Sequence, residues 1–325
     1  MMNSEKFYDI IIPVGKKDVN FVPRVVNLIT RCLSGVEHIY ILTNQKYIVG
    51  ISRKLRAYCQ CVVLDENNLI EGLSFEGVKN LISRHAPQHV SITGWYFQQF
   101  LKLGFALSKY SKEYYLSWDA DTLPLAPIAF FERNHILYNP KSENHVNYFS
   151  TMESLLGFGH IVDHSFISES MMFSSKIVRE MITDIEKAPI EGNDWISKII
   201  NACDMEQSVQ AFSEFETYGN YCAKCYSGLY KPRHLNTFRE AGMICGRRIS
   251  EKRLLKMSFD LDMASFEMQD MPMFPYNIPN LIYKFRCIYR ECKRMSLQQI
   301  VRKVKEKFSG EEKHSDNNVF RLQEQ

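Results

Sequence analysis

The sequence predicts an α/β fold built on a doubly wound, mostly parallel sheet flanked by helices. Three observations carry that expectation. Short apolar runs of strand length alternate with segments of helical periodicity. The run Tyr8-Asp-Ile-Ile-Ile-Pro-Val-Gly15 is closed by Pro and Gly, as a strand buried on both faces would be. A second run, Tyr114-Tyr-Leu-Ser-Trp118, leads into the acidic loop Asp119-Ala-Asp121-Thr-Leu-Pro124. Open α/β sheets bind ligands at the C-terminal ends of their strands, where this loop falls.

The other elements follow in order. A helix is expected over 18–33, a strand over 38–43, and a third strand over 61–64, stopped by Asp65-Glu-Asn-Asn68. A helix over 94–109 can carry Phe97, Phe100, Leu101 and Leu107 on one apolar stripe. The second half is less regular. It offers a strand over 166–173, helices over 175–187 and 195–203, and another opened by Ser213. The division expected is one α/β domain over 1–245, a helical basic extension over 246–310 and a disordered tail over 311–325.

A chain of 325 residues can bury a large single core, and 45% hydrophobic with 24% charged residues is a globular balance. A net charge of +3 gives no overall field for nucleic acid, so no nucleic-acid partner is expected. The N-terminus has neither a signal peptide's pattern nor a membrane helix's length, and a cytoplasmic location is expected. Nine cysteines stand in no disulfide framework, as free thiols would in a reducing compartment. Cys222-Ala-Lys-Cys225 has metal-ligand spacing but lacks a second pair, which favours buried thiols over structural zinc.

Two Asp at i and i+2 on a tight loop can turn towards one hard divalent ion, Mn²⁺ or Mg²⁺, and through it hold a diphosphate. The pattern recurs at Asp260-Leu-Asp262, but no strand leads into that copy, which reads as a solvated segment. The first copy has a distinctive context. Residues 101–125, with a Lys-Leu helix, a Tyr-Ser-Lys turn and an apolar strand before Asp-Ala-Asp-Thr-Leu, resemble GT-A glycosyltransferases, locally of the glycogenin type. Gly94-Trp-Tyr-Phe-Gln-Gln-Phe-Leu-Lys-Leu103 and Ser213-Glu-Phe-Glu-Thr-Tyr-Gly-Asn-Tyr221 resemble a bacterial group associated with capsule and lipopolysaccharide sugar assembly.

The resemblance implies a GT-A-like fold and a role for each matching residue. Asp121 would ligate the metal, and Asp119 would contact the metal or the donor's ribose. Lys102 would approach the phosphates or donor sugar, with Gln98 one turn earlier on the same face. Ile12, Pro13 and Val14 would line the base pocket at the end of the first strand. As plain structure, Lys102 and Gln98 are helix surface and Pro13 a strand end.

An acceptor hydroxyl needs a base in an inverting reaction, and a retaining one needs a group on the donor's opposite face. Glu169, Glu214 and Glu216 are the candidates. Ser213-Glu-Phe-Glu216 is also a capping box, in which Glu216 would bond back to Ser213. The resemblance further implies a late His as third metal ligand. The matching position holds Cys225, which leaves His234, with His164 behind it.

Residues 281–310 hold nine Lys/Arg against Glu291 and Glu306, with apolar residues at helical spacing. Such a stretch suits an anionic membrane surface, and equally a helix packed on its own domain. The expectation is transfer of a sugar from a nucleotide-sugar donor, UDP-linked, to a surface glycan or lipid-linked acceptor. The alternatives are a nucleotidyltransferase, for which Gly15-Lys16-Lys17 is a faint phosphate loop, and a non-catalytic scaffold at the membrane.

Overall fold

The computed structural model describes residues 6–267 and isolated positions between 274 and 296. Strand β1 (Tyr8–Val14) leads through helix α1 (Val22–Cys32) to β2 (Val36–Thr43). Next come α2 (Gln45–Leu55), β3 (Cys61–Asp65), α3 (Phe75–His85), α4 (Thr93–Gly104) and β4 (Tyr114–Trp118). Three short strands follow, β5 (Thr122–Pro124), β6 (Phe131–Glu132) and β7 (His135–Tyr138), and then α5 (Val146–Leu156). Strand β8 (Ser170–Ser174) precedes α6 (Ser175–Lys187), α7 (Trp195–Ala202) and α8 (Glu214–Cys225). The last described elements are β9 (Tyr230–Pro232), β10 (Thr237–Phe238), α9 (Ala241–Cys245), α10 (Glu251–Met257) and β11 (Met263–Ser265).

The main sheet has the order β3-β2-β1-β4-β8, parallel except for the antiparallel edge strand β8. The expected α/β class with a mostly parallel sheet is therefore the one found. Strand β1 lies at its centre and is buried along its whole length. Because side chains alternate along a strand, Ile10 and Ile12 enter one core while Ile11 enters the other. Removing such a side chain to Ala costs about 2–5 kcal/mol, so this run fixes the register of the sheet.

Two small sheets, β10-β11-β5 and β6-β7-β9, flank the main one. The antiparallel pair β5–β11 continues the main core through Met263 and Phe266, both fully buried, and the Phe266 N–H donates to the Asp121 carbonyl at 2.9 Å. Ile249 and Leu254 are buried in that same core. The segment before β11 is partly engaged rather than merely solvated: Asp260 is exposed, but the Asp262 carboxylate accepts from the Asn236 N–H at 2.8 Å.

Several expected boundaries shift. The helix expected over 94–109 ends at Gly104 and tightens into a 3₁₀ turn (Phe105–Leu107). Leu107 thereby leaves the apolar stripe and is 45% exposed, while Phe97, Phe100 and Leu101 are buried. Of the strand expected over 166–173, the ladder begins only at Ser170. Residues 165 and 166 are instead held by a side chain of α8, described below. The described cysteines are free, with Cys222 buried and Cys225 exposed. No helix among the described residues is long and apolar enough to cross a membrane. The expected basic helix over 281–310 and tail over 311–325 lie outside the described residues, apart from isolated positions.

Candidate active site

Parallel pairing of β1 with β4 sets Pro13 and the Asp119–Asp121 loop at the same edge of the sheet. The loop is closed by the Thr122 N–H donating to the Asp119 carbonyl at 3.1 Å, and the Asp119 N–H donates to the Glu169 carbonyl at 3.1 Å. Over this edge lies a cleft of about 470 Å³. One wall is the face of α4 that carries Trp95, Gln98, Gln99 and Lys102, residues three or four apart and so on one side of a helix. The N-terminus of α8 adds Ser213 and Glu214.

Lys102 joins these parts. It is only 3% exposed, and its ammonium stands 3.0 Å from Asp119 Oδ1 and 2.8 Å from Glu214 Oε1. Burial works against its charge, but the two carboxylates outweigh burial and hold its pKa above the usual lysine value. Glu214 is fixed a second way: its N–H donates to Gln99 Oε1 at 3.0 Å. Its negative charge also suits the first turn of α8.

Asp121 has no such partner among the described residues. Burial, then the charges of Asp119 and Asp18, push its pKa up to about 7, with Lys17 only partly opposing. Asp18 and Glu267 line the same cleft, Asp18 paired with Arg247 at 2.7 Å. On the far side Arg239 pairs with Glu143. Burial disfavours the Arg239 charge, but the Glu143, Glu169 and Asp119 carboxylates more than compensate and raise its pKa.

The cleft therefore gathers Pro13, Gln98, Lys102, Asp119, Asp121 and Glu214. Val14, Glu169, Glu216 and His234 are not in its lining. Val14 is buried and its carbonyl accepts from Thr43 Oγ1 at 2.8 Å. Glu169 is 3% exposed, with Oε1 accepting from Lys141 Nζ at 3.2 Å and Oε2 without a hydrogen-bond partner. The Glu216 carboxylate accepts from the Ser165 hydroxyl, the Phe166 N–H at 3.1 Å and the Asn220 amide at 3.1 Å. Burial raises its pKa against these bonds. The capping box is only half formed: the Glu216 N–H donates to Ser213 Oγ at 3.2 Å, but the carboxylate turns to Ser165 rather than back to Ser213. His234 bonds Asn236 at 3.1 Å in a separate cavity of about 660 Å³ that Lys141, Thr237 and Asp260 also line. His164 bonds the Tyr138 hydroxyl at 2.9 Å.

Sequence reading passed over Asp18, Trp95, Glu143, His145, Tyr148, Arg239 and Glu267, and met Lys17 only as a faint phosphate loop; all line the cleft. They come from loops and helix starts spread over 250 positions of chain. Only Asp18, an acid just before a helical run, carries a local signal.

Among the described residues no three His, Cys, Asp or Glu side chains form a group able to hold a metal by themselves. A pair of aspartates is nevertheless a fitting half-shell for a hard ion whose remaining ligands are phosphate oxygens and water. The poorly compensated charge at Asp121 suits a cation there, and the donor set, oxygen only, suits Mn²⁺ or Mg²⁺.

A protein family described as "Family of unknown function (DUF6492)" matches residues 28–243. No curated protein matches the sequence. Among solved structures, the chain is similar to mouse xyloside xylosyltransferase 1, at 9% identity and TM-score 0.43, over 82% of this chain and 99% of that one. It is also similar to the galactosyltransferase LgtC, at 10% identity and TM-score 0.42, over 84% of this chain and 94% of that one. A third likeness, to the bifunctional glycosyltransferase WbbM, has 11% identity and TM-score 0.39, over 82% of this chain and 47% of that one. Likeness of this degree says nothing about reaction or substrate.

Proposed function

We propose that this chain, which belongs to the DUF6492 family of unknown function, transfers a sugar from a nucleoside-diphosphate donor to a hydroxyl acceptor. The observation that carries the reading is the paired Asp119 and Asp121 at the C-terminal end of β4, in one cleft with Lys17, Lys102 and Arg239. Two carboxylates, one of them poorly compensated, beside three cations suit a diphosphate held through a divalent ion. Mn²⁺ or Mg²⁺ bound there would neutralise the charge that grows on the leaving diphosphate.

The chain's own residues would do the rest. Pro13 and Lys17 line the nucleotide end of the cleft at the edge of β1. Lys102 holds Asp119 in place and keeps the Glu214 carboxylate beside it. Of the three glutamates expected to take part, Glu214 alone lines the cleft, and it is assigned the role at the reacting sugar. Glu216 is assigned to holding residues 165 and 166, on the strength of its three hydrogen bonds. The donor is read as a UDP-sugar and the acceptor as a surface glycan or lipid-linked sugar. The exposure of Ile282, Phe285 and Tyr289, at 49%, 69% and 69%, within a basic sequence favours seating on an anionic membrane.

The test is release of nucleoside diphosphate from a panel of UDP-, GDP- and ADP-sugars with Mn²⁺. Asp121→Ala is expected to lower release by about 10²-fold or more while remaining folded. Release at the wild-type rate by the folded variant would contradict the reading.

A further inference from the structure

The cleft has an end that the diphosphate chemistry does not use. There the indole of Trp95 and the ring of Tyr148 lie nearly parallel, 26° apart in plane, with centroids 6.5 Å apart. His145 adjoins Tyr148 at 4.9 Å between ring centroids. All three line the cleft, although Trp95 starts α4 and the other two start α5. Between this aromatic wall and Lys102, Gln99 lines the same cleft. It is 3% exposed, its Oε1 is taken by the Glu214 N–H, and its Nε2 has no hydrogen-bond partner among the described residues. The bond to Glu214 fixes which amide atom is which, and the Nε2 donor is closed off from solvent.

Aromatic faces rimmed by the Gln98 and Gln210 amides suit a ligand with one apolar face and several hydroxyls. A pyranose ring is such a ligand: its C–H face lies on aromatic carbon while its hydroxyls meet amides. A diphosphate suits it less, because the cations nearest this end are already paired, Arg239 with Glu143 and Lys102 with Asp119 and Glu214. From Trp95 to Lys102 is seven residues of helix, about 10 Å along the axis. Trp95 thus stands about one sugar unit along α4 from Lys102, which holds Asp119.

We infer that Trp95 and Tyr148, with the Gln98 and Gln210 amides at their rim, form a saccharide subsite that seats the acceptor sugar of the proposed transfer. The inference rests on the transferase reading for the word acceptor, but saccharide binding at Trp95 is testable without it.

The experiment is saturation-transfer NMR on the full chain with the methyl glycosides of glucose, galactose and mannose, each at millimolar concentration. At least one is expected to show saturation of its ring C–H protons. Trp95→Leu is expected to reduce that signal about tenfold, and Trp95→Phe to keep most of it. Saturation that survives Trp95→Leu, or is absent with all three glycosides, overturns the subsite. So does a platform that responds to uridine alone, which would make it a nucleobase shelf. Thermal melting with UDP and Mn²⁺ runs in parallel. The nucleotide-induced rise is expected to persist in Trp95→Leu, and its absence in the wild type would defeat the donor reading while leaving the saccharide result standing.

Discussion

The Lys102 ammonium stands 2.8 Å from the Glu214 carboxylate, 112 positions away in sequence, and 3.0 Å from that of Asp119. One buried cation thus ties α4 to the start of α8 and to the loop after β4. Breaking a buried ion pair by removing one member leaves an uncompensated charge and costs about 3–5 kcal/mol. Lys102→Met is expected to lose stability on that scale in urea unfolding. Adding Glu214→Gln should restore part of the loss, because one orphaned charge goes. A loss below about 1 kcal/mol in the single variant would show that the pair does not hold the cleft together.

Asp121 gives a prediction of opposite sign. Its folded-state pKa is raised to about 7, against about 3.9 for an unfolded aspartate. The folded chain therefore holds a proton that the unfolded chain releases, and stability is lost as pH rises from about 4 through 7. Asn carries no charge at any of these pH values. In chelator, Asp121→Asn is expected to be more stable than wild type at pH 8, by about 1–4 kcal/mol. The margin should narrow as pH falls towards 5. Equal stability of the two proteins across that range would remove the case for a strained carboxylate at this position.

Glu214 and Glu216 lie two residues apart and are expected to behave differently. Glu214→Gln keeps the shape of the side chain and removes the charge in the cleft, and should lower turnover by about 10²-fold. Glu216→Gln can keep an oxygen for the Ser165 hydroxyl and the Phe166 N–H but turns an amide donor towards the Asn220 donor, and its effect should appear chiefly in melting temperature. Steady-state rates with a common donor check both, and the reverse ranking would move the catalytic assignment to Glu216.

Gly219, one turn along α8 from Glu216, has no room for a side chain. An added Cβ would lie 2.1 Å from Phe166 Cγ, inside the ring's contact distance. Gly219→Ala should force Phe166, and with it the segment beside the cleft, out of position. A cost of about 3 kcal/mol is expected in denaturant unfolding. A neutral substitution would mean that the segment moves freely.

What could be read from sequence was what is local. The apolar run of β1, the strand into Asp119 and the periodicity of α6 each carry their pattern within a dozen residues, and each lies where expected. Lys102 and Glu214 could be singled out in sequence and both line the cleft, but nothing in their local sequence states that one ammonium serves Asp119 and Glu214 together. Nothing in the sequence around Trp95 or Tyr148 states that folding sets their rings side by side. The strand expected at 166 failed for a similar reason. Its apolar pattern is real, but Glu216, fifty positions on, takes the Phe166 N–H that a ladder would have used.

The most direct measurement is calorimetric titration of UDP, GDP and ADP into the full chain, with Mn²⁺ and with chelator. One nucleotide is expected to bind saturably with Mn²⁺, at least about tenfold more weakly in chelator, and not measurably in Asp121→Ala. Failure of all three to bind, or binding indifferent to both the metal and Asp121, would contradict a metal-held diphosphate at this pair.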